Sequence, residues 1–192
     1  MAAIVIGNGI SRLSFDLNLI LASERFITYG CNAIYRDFNV DHLVVTGNRI
    51  AQEVSESEYI NNHKVYARKS IVDTDDRFIP IPQNPRYNSG AAATHLVAHD
   101  GHKKVFLLGF DGIDSPLDNY NIYAGTNGYP SRDTPVSENS WVDNMSKVFS
   151  AYRDAEFIRV SPTSAFRTPH QWKYHLNFRT IDFRQFAIEV DL

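Results

Sequence analysis

The sequence predicts an α/β fold: a single Rossmann-like domain with a mostly parallel, twisted sheet, helices on both faces and a lid insertion. Three observations predict it. Short apolar runs alternate with helix-like segments, four of those runs end in turns rich in Gly and Asn, and two long polar segments interrupt the alternation. At 192 residues with 43% hydrophobic content, the chain suits one compact domain, 1–192, and leaves no room for a second.

The first run, AAIVI at 2–6, is stopped by Gly7 and Gly9 and reads as a buried strand entering a tight turn. Further strands are expected at 25–30, 42–47, 64–69, 104–110 and 156–160, with helical pieces around 13–22, 32–37, 48–60, 90–99 and 139–152. Residues 70–87, with three prolines, and 111–138, rich in Asn, Asp, Gly, Tyr and Pro, fit neither pattern. Residues 112–138 are expected to form a lid, and 163–192 a C-terminal extension packed on the domain.

Nineteen basic residues face 22 acidic ones, and a net charge of −3 gives no general reason to bind polyanions. The stretch FRTPHQWKYHLNFRTIDFRQF (166–186) is a local exception, which makes nucleic acid a weak candidate partner. A single cysteine, Cys31, excludes an intrachain disulfide and fits a reducing compartment, so a cytoplasmic location is expected. No run approaches the roughly 20 apolar residues of a membrane span, and MAAIVIGNG does not read as a signal peptide.

In open parallel sheets, ligands sit beyond the carboxyl ends of the strands, near a switch in strand order. That edge collects the turns Gly7-Asn8-Gly9, Gly30-Cys31-Asn32, Gly47-Asn48 and Gly109-Phe110-Asp111. Bare backbone N–H groups at Gly7 and Gly9, with Asn8 in a left-handed conformation and Ser11 following, would suit a phosphate or sugar. GNGIS is not the dinucleotide fingerprint, because Arg12 stands where that motif needs glycine. Asn32 is expected to cap a helix, and Asn88 or Ser89 to cap the next, where Gly90 lets a ligand approach. Arg86 adds a charge there. The lid holds Tyr120, Tyr123 and Tyr129, whose hydroxyls can bond phosphate oxygens. Asp111, Asp114 and Asp118 raise the question of a metal, but no metal site is assigned. His95 and His99, spaced i, i+4 without an intervening Glu, read as a solvent-facing pair.

Taken in order, VIGNGIS, GCNAIYRDF and RYNSGAAATHLVAHDGHKKVFLLGFD resemble motifs of the bacterial sialyltransferases of glycosyltransferase family 42 and of the related motility-associated and hydroxymethylpterin diphosphokinase-like proteins. The resemblance covers roughly residues 3–112 and, more faintly, 140–162. It implies that Asn8, Asn32, Ser89 and Gly109 bind a nucleotide, with Asn48 an imperfect match and Asp111 nearby. It also implies that Arg86 is an active-site arginine and that lid tyrosines, Tyr120, Tyr123 or Tyr129, stabilise the leaving phosphate without metal. The family's lid histidine has no counterpart at 112–140, so the base falls to Asp133, Glu138 or His170.

The resulting expectation is a nucleotide-sugar-dependent glycosyltransferase whose donor, by resemblance CMP-linked, binds at the carboxyl edge, with no cofactor firmly implied. Two alternatives stay open: a diphosphokinase-like enzyme moving pyrophosphate from ATP with Mg²⁺, and a non-catalytic nucleotide-binding protein.

Overall fold

The computed structural model describes residues 2–111, 121–134, 138–162 and 167–192. Eight strands form one sheet: β1 (Ala2–Ile6), β2 (Phe26–Cys31), β3 (His42–Val45), β4 (Lys64–Ala67), β5 (Ile79–Pro80), β6 (Lys104–Leu108), β7 (Glu156–Val160) and β8 (Phe178–Ile181). Their order is β5-β4-β3-β2-β1-β6-β7-β8. Every pairing is parallel. The chain order therefore reverses between β1 and β6, at the middle of the sheet.

Strand alternation divides the core in two. Ile4 and Ile6 of β1 face one side and Ala3 and Val5 the other. The first side is covered by α1 (Asn18–Leu21), α2 (Asn48–Ser55), α3 (Tyr59–Asn62), α4 (Lys69–Val72) and α7 (Phe183–Val190), through Ile20, Ile50, Val54, Tyr59, Ile71 and Phe186. The second is covered by α5 (Ser89–His99), α6 (Glu138–Ala151) and a 3-10 turn at His170–Tyr174. Ala91, Ala92 and Ala93 are fully buried, so the short side chains of α5 let it lie close over β1, β2 and β3.

Several expected helices are shorter than the sequence indicates. The piece at 13–22 is a 3-10 turn (Ile10–Ser14) followed by the four-residue α1, and 32–37 is a 3-10 turn (Asn32–Arg36). The segment 70–87 contributes most of α4 and the two-residue β5, whose Pro80 is tolerated because β5 is the edge strand. β8 and α7 were not foreseen either. Arg179 of β8 pairs with Glu156 and with Glu189 of α7, and Lys104 also reaches Glu189. Among the described residues no helix is long and apolar enough to cross a membrane.

Candidate functional site at the carboxyl edge

The reversal between β1 and β6 brings the turn after β1 against the turn after β6. Gly7 N donates to Leu108 O at 2.7 Å and Gly9 N to Gly109 O at 2.9 Å. A Cβ on Gly7 would lie 2.5 Å from Gly109 O, and one on Gly109, whose φ is +70°, would lie 2.7 Å from Gly7 O. The glycines thus let two backbones touch, and the N–H groups expected to be bare are bonded within the protein. The Asp111 carboxylate accepts hydrogen bonds from Ser11 N at 2.9 Å and from the Ser11 hydroxyl. Both residues are buried. Burial pushes the Asp111 carboxyl above its usual range, against the pull of the Ser11 bonds and of Arg159.

Asn8 is likewise enclosed, 7% exposed. Its Nδ2 donates to Cys31 O at 2.9 Å and to the Tyr129 hydroxyl at 3.2 Å, while Oδ1 accepts from Arg12 at 3.1 Å. It is not left-handed; Asn32 is, with φ of 49°. Asn32 does not cap its own 3-10 turn, which has no side-chain cap, and instead its Oδ1 accepts from Thr46 N at 3.2 Å beyond β3. Burial raises the Cys31 thiol to about 11, against the lowering effect of Arg12 and Ser89.

The described part of the proposed lid, 121–134, lies over these turns. Ile122 N donates to Asn8 O at 2.8 Å. Tyr123, 5% exposed, donates to Asp37 at 2.6 Å and accepts from Arg12 at 3.2 Å. Burial, then Asp37, raises its phenol; burial brings that of Tyr129 to about 12. Arg36, paired with Glu53, also holds Thr126 Oγ1 and Asn127 O at 2.8 and 2.9 Å. Arg12, buried at 3% exposure, joins the turn to the lid through Gly7 O, Asn8 and Tyr123, and belongs to no ion pair among the described residues. The one legible signal for it was an arginine at the place of a fingerprint glycine.

The edge beyond β3 and β4 is different. Gly47 has open space where a Cβ would stand, and Asn48, which starts α2, is exposed. Opposite it, Asn88 caps α5 as expected, accepting from Ala91 N at 3.0 Å, with Ser89 partly exposed. Gly90 faces the ring of Phe110, where a Cβ would come within 3.2 Å, so its small size serves packing. Arg86 is exposed and makes no hydrogen bond or ion pair among the described residues. Its loop is firmly held: Ile81 N bonds Ala67 O, Lys69 N bonds Asn84 Oδ1, and Arg68 donates to Tyr87 O at 2.7 Å. Gln83 and Asn84 both have left-handed φ, 58° and 45°, a strain of the kind that collects at functional sites.

Among the described residues, no hydrogen bond or ion pair joins Asp133 to His170. Asp133 is exposed at the end of the docked segment, Glu138 begins α6, and His170 is exposed with its Nε2 held by the Tyr174 hydroxyl at 3.1 Å. Tyr120 lies outside the described residues. His95 is not solvent-facing: it is 4% exposed, with one ring nitrogen at Pro82 O and the other at the Tyr152 hydroxyl, both at 3.0 Å. The i, i+4 spacing could not reveal this, because α5 is covered on the flank that meets α6 and the 81–88 loop. Among the described residues no three His, Cys, Asp or Glu side chains converge as metal ligands would.

The strand order, the reversal beside β1 and the turns around it can be compared with solved structures. The whole chain matches sialyltransferase CST-II, solved as an asparagine-to-alanine variant in complex with CMP, with a TM-score of 0.57. The two share an α/β fold with a parallel sheet. The match spans 100% of this chain and 98% of that one, at 12% identity, so what is shared is the architecture. The chain matches no protein-family model and no curated protein sequence.

Proposed function

We propose that the chain binds a nucleotide along the carboxyl edge and uses a nucleotide-sugar as glycosyl donor for transfer to an acceptor. The observation that carries this reading is a set of open groups at the carboxyl edge. Asn48 at the start of α2, Ser89 at the start of α5 and Arg86 just before it are all accessible. Helix starts favour anions, and an Asn amide can both donate to and accept from a base or ribose. The fold shared with a CMP-bound sialyltransferase supports the reading.

Relative to the family pattern, the work on the leaving phosphate passes from Tyr123 and Tyr129 to Arg86 and Ser89. Both tyrosine hydroxyls already serve Asp37, Arg12 and Asn8 inside the fold. A guanidinium at that position would stabilise charge developing on the departing phosphate oxygen. Asp133, Glu138 and His170 remain the candidate bases for the acceptor. No hydrogen bond or ion pair links Asp133 or His170 to Arg86 among the described residues, which favours a second reading, a nucleotide-binding protein without turnover.

Calorimetric titration with CMP, UDP, GDP, ADP and ATP, with Mg²⁺ and in EDTA, tests the binding step. At least one nucleotide is expected to bind in EDTA, with Arg86→Gln weakening it by about tenfold. Strict dependence on Mg²⁺ would move the reading to pyrophosphate transfer, and no binding in any condition would sink it. Donor hydrolysis then separates a transferase from the non-catalytic reading.

A further inference from the structure

Arg68 follows β4 directly, so it stands at the carboxyl edge beside the end of β3, from which the chain passes into α2. Its Nη2 donates to Tyr87 O at 2.7 Å, one residue from Arg86, and its Nε is buried without an acceptor. Arg49, in the first turn of α2, is exposed and, like Arg86, makes no hydrogen bond or ion pair among the described residues. Arg36, Arg77 and Arg179 are held by Glu53, Asp75 and Glu189, whereas none of Arg49, Arg68 and Arg86 has an acidic partner among the described residues.

We propose that Arg68, with Arg49 and Arg86, forms a cationic subsite for a second phosphate, so that the ligand is a nucleoside diphosphate or its sugar ester rather than a monophosphate. This rests on the nucleotide reading above. A monophosphate is matched by Arg86 and the start of α5, which leaves the other two charges without a counterpart. A diphosphate carries more charge and spreads it over two centres. Guanidinium groups meet phosphate oxygens in pairs of parallel hydrogen bonds, which suits arginine over lysine at all three positions. Arg68 spends Nη2 on Tyr87 O and its Nε is buried, so Nη1, which makes no hydrogen bond among the described residues, is the group it offers to an incoming phosphate oxygen. The strained, pinned loop at 81–88 holds Arg86 at a fixed place beside it.

The test is calorimetric titration of the parent, Arg68→Gln and Arg49→Gln with UDP, UMP, CDP, CMP and inorganic pyrophosphate. Arg49→Gln removes a side chain with no bonds, so its folding is not at risk. The parent is expected to bind one diphosphate at least about tenfold more tightly than the matching monophosphate. Arg68→Gln should weaken diphosphate and pyrophosphate by about tenfold, and Arg49→Gln by about threefold, with monophosphate affinity within about twofold of the parent. Equal affinity of the parent for the two nucleotide classes, parental pyrophosphate binding in both variants, or no pyrophosphate binding at all would overturn the subsite. Pyrophosphate binding that is lost in the variants while no nucleotide competes would keep the subsite and defeat the nucleotide reading.

Discussion

The turns at β1 and β6 and the turn after β3 are written in similar letters, Gly-Asn-Gly, Gly-Phe-Asp and Gly-Asn, yet they do different work. At β1 and β6 the glycines are consumed by backbone contact, Ser11 bonds Asp111, and Asn8 bonds Cys31 O and the Tyr129 hydroxyl. After β3 the glycine stands in open space and the asparagine is exposed. A Gly/Asn turn at a strand end is therefore a permission. Whether it admits a ligand or a second piece of chain depends on what the fold brings opposite.

The largest expected effect breaks this contrast at its glycines. Gly7→Ala and Gly109→Ala should each cost about 3 kcal/mol, because the new Cβ meets a backbone carbonyl and, at Gly109, a left-handed φ. Gly47→Ala, extended at φ −96° with nothing nearby, should be neutral or stabilise by about 0.5 kcal/mol. Urea unfolding of the three variants measures it; equal costs would erase the distinction.

A smaller effect sharpens the contrast at the asparagines. Asn8→Ala leaves Cys31 O and the buried Arg12 short of partners and should cost about 1–3 kcal/mol. Asn48→Ala should leave stability within about 0.5 kcal/mol and instead weaken nucleotide binding by about tenfold. Paired unfolding and titration curves separate the two. The assignment fails if Asn8→Ala folds with parental stability or Asn48→Ala binds like the parent.

The smallest effect concerns pH and lies away from both turns. Burial lowers His42 and His95, keeping both neutral in the fold; His42 stacks on Tyr29 at 4.6 Å with its Nδ1 unpartnered. Below the ordinary histidine value of 6.5 the unfolded chain takes up protons that the fold refuses. Stability from these groups is thus complete above about pH 6.5 and falls as pH drops through their lowered values. Glu53 and Glu189, lowered to about 2 chiefly by Arg36 and Arg179, lose theirs as pH falls from about 4.5 toward 2. The thermal midpoint should fall by several degrees from pH 7.5 to 5, at about 2–4 °C per kcal/mol. His42→Gln with His95→Gln should flatten that slope, and an unchanged slope would remove the two histidines from the account.

How much was legible can be read from particular residues. Strands at 2–6, 104–108 and 156–160 announced themselves because buried parallel strands are continuous apolar runs, and Asn88 announced itself as a cap because capping is local. β8 and α7 did not, since Arg179 of β8 is neutralised by Glu156 and by Glu189, and a local count of charge does not show that pairing. Ser89, Asn48 and Arg86, singled out by motif, are accessible. Arg68 was missed because a lone arginine after a short strand carries no pattern.

The sequence by itself determined the alternation of strand and helix, the glycines at the strand ends and the capping of α5, all of which follow from interactions within a few residues. Only the tertiary structure decided which turns are closed and which are open. That choice depends on the strand order, which sets Gly109 against Gly7 and Tyr129 against Asn8, more than a hundred residues apart, and leaves Asn48 facing solvent. A backbone carbonyl or tyrosine hydroxyl arriving from so far away satisfies a donor as completely as a ligand would, and nothing in the local chain distinguishes the two.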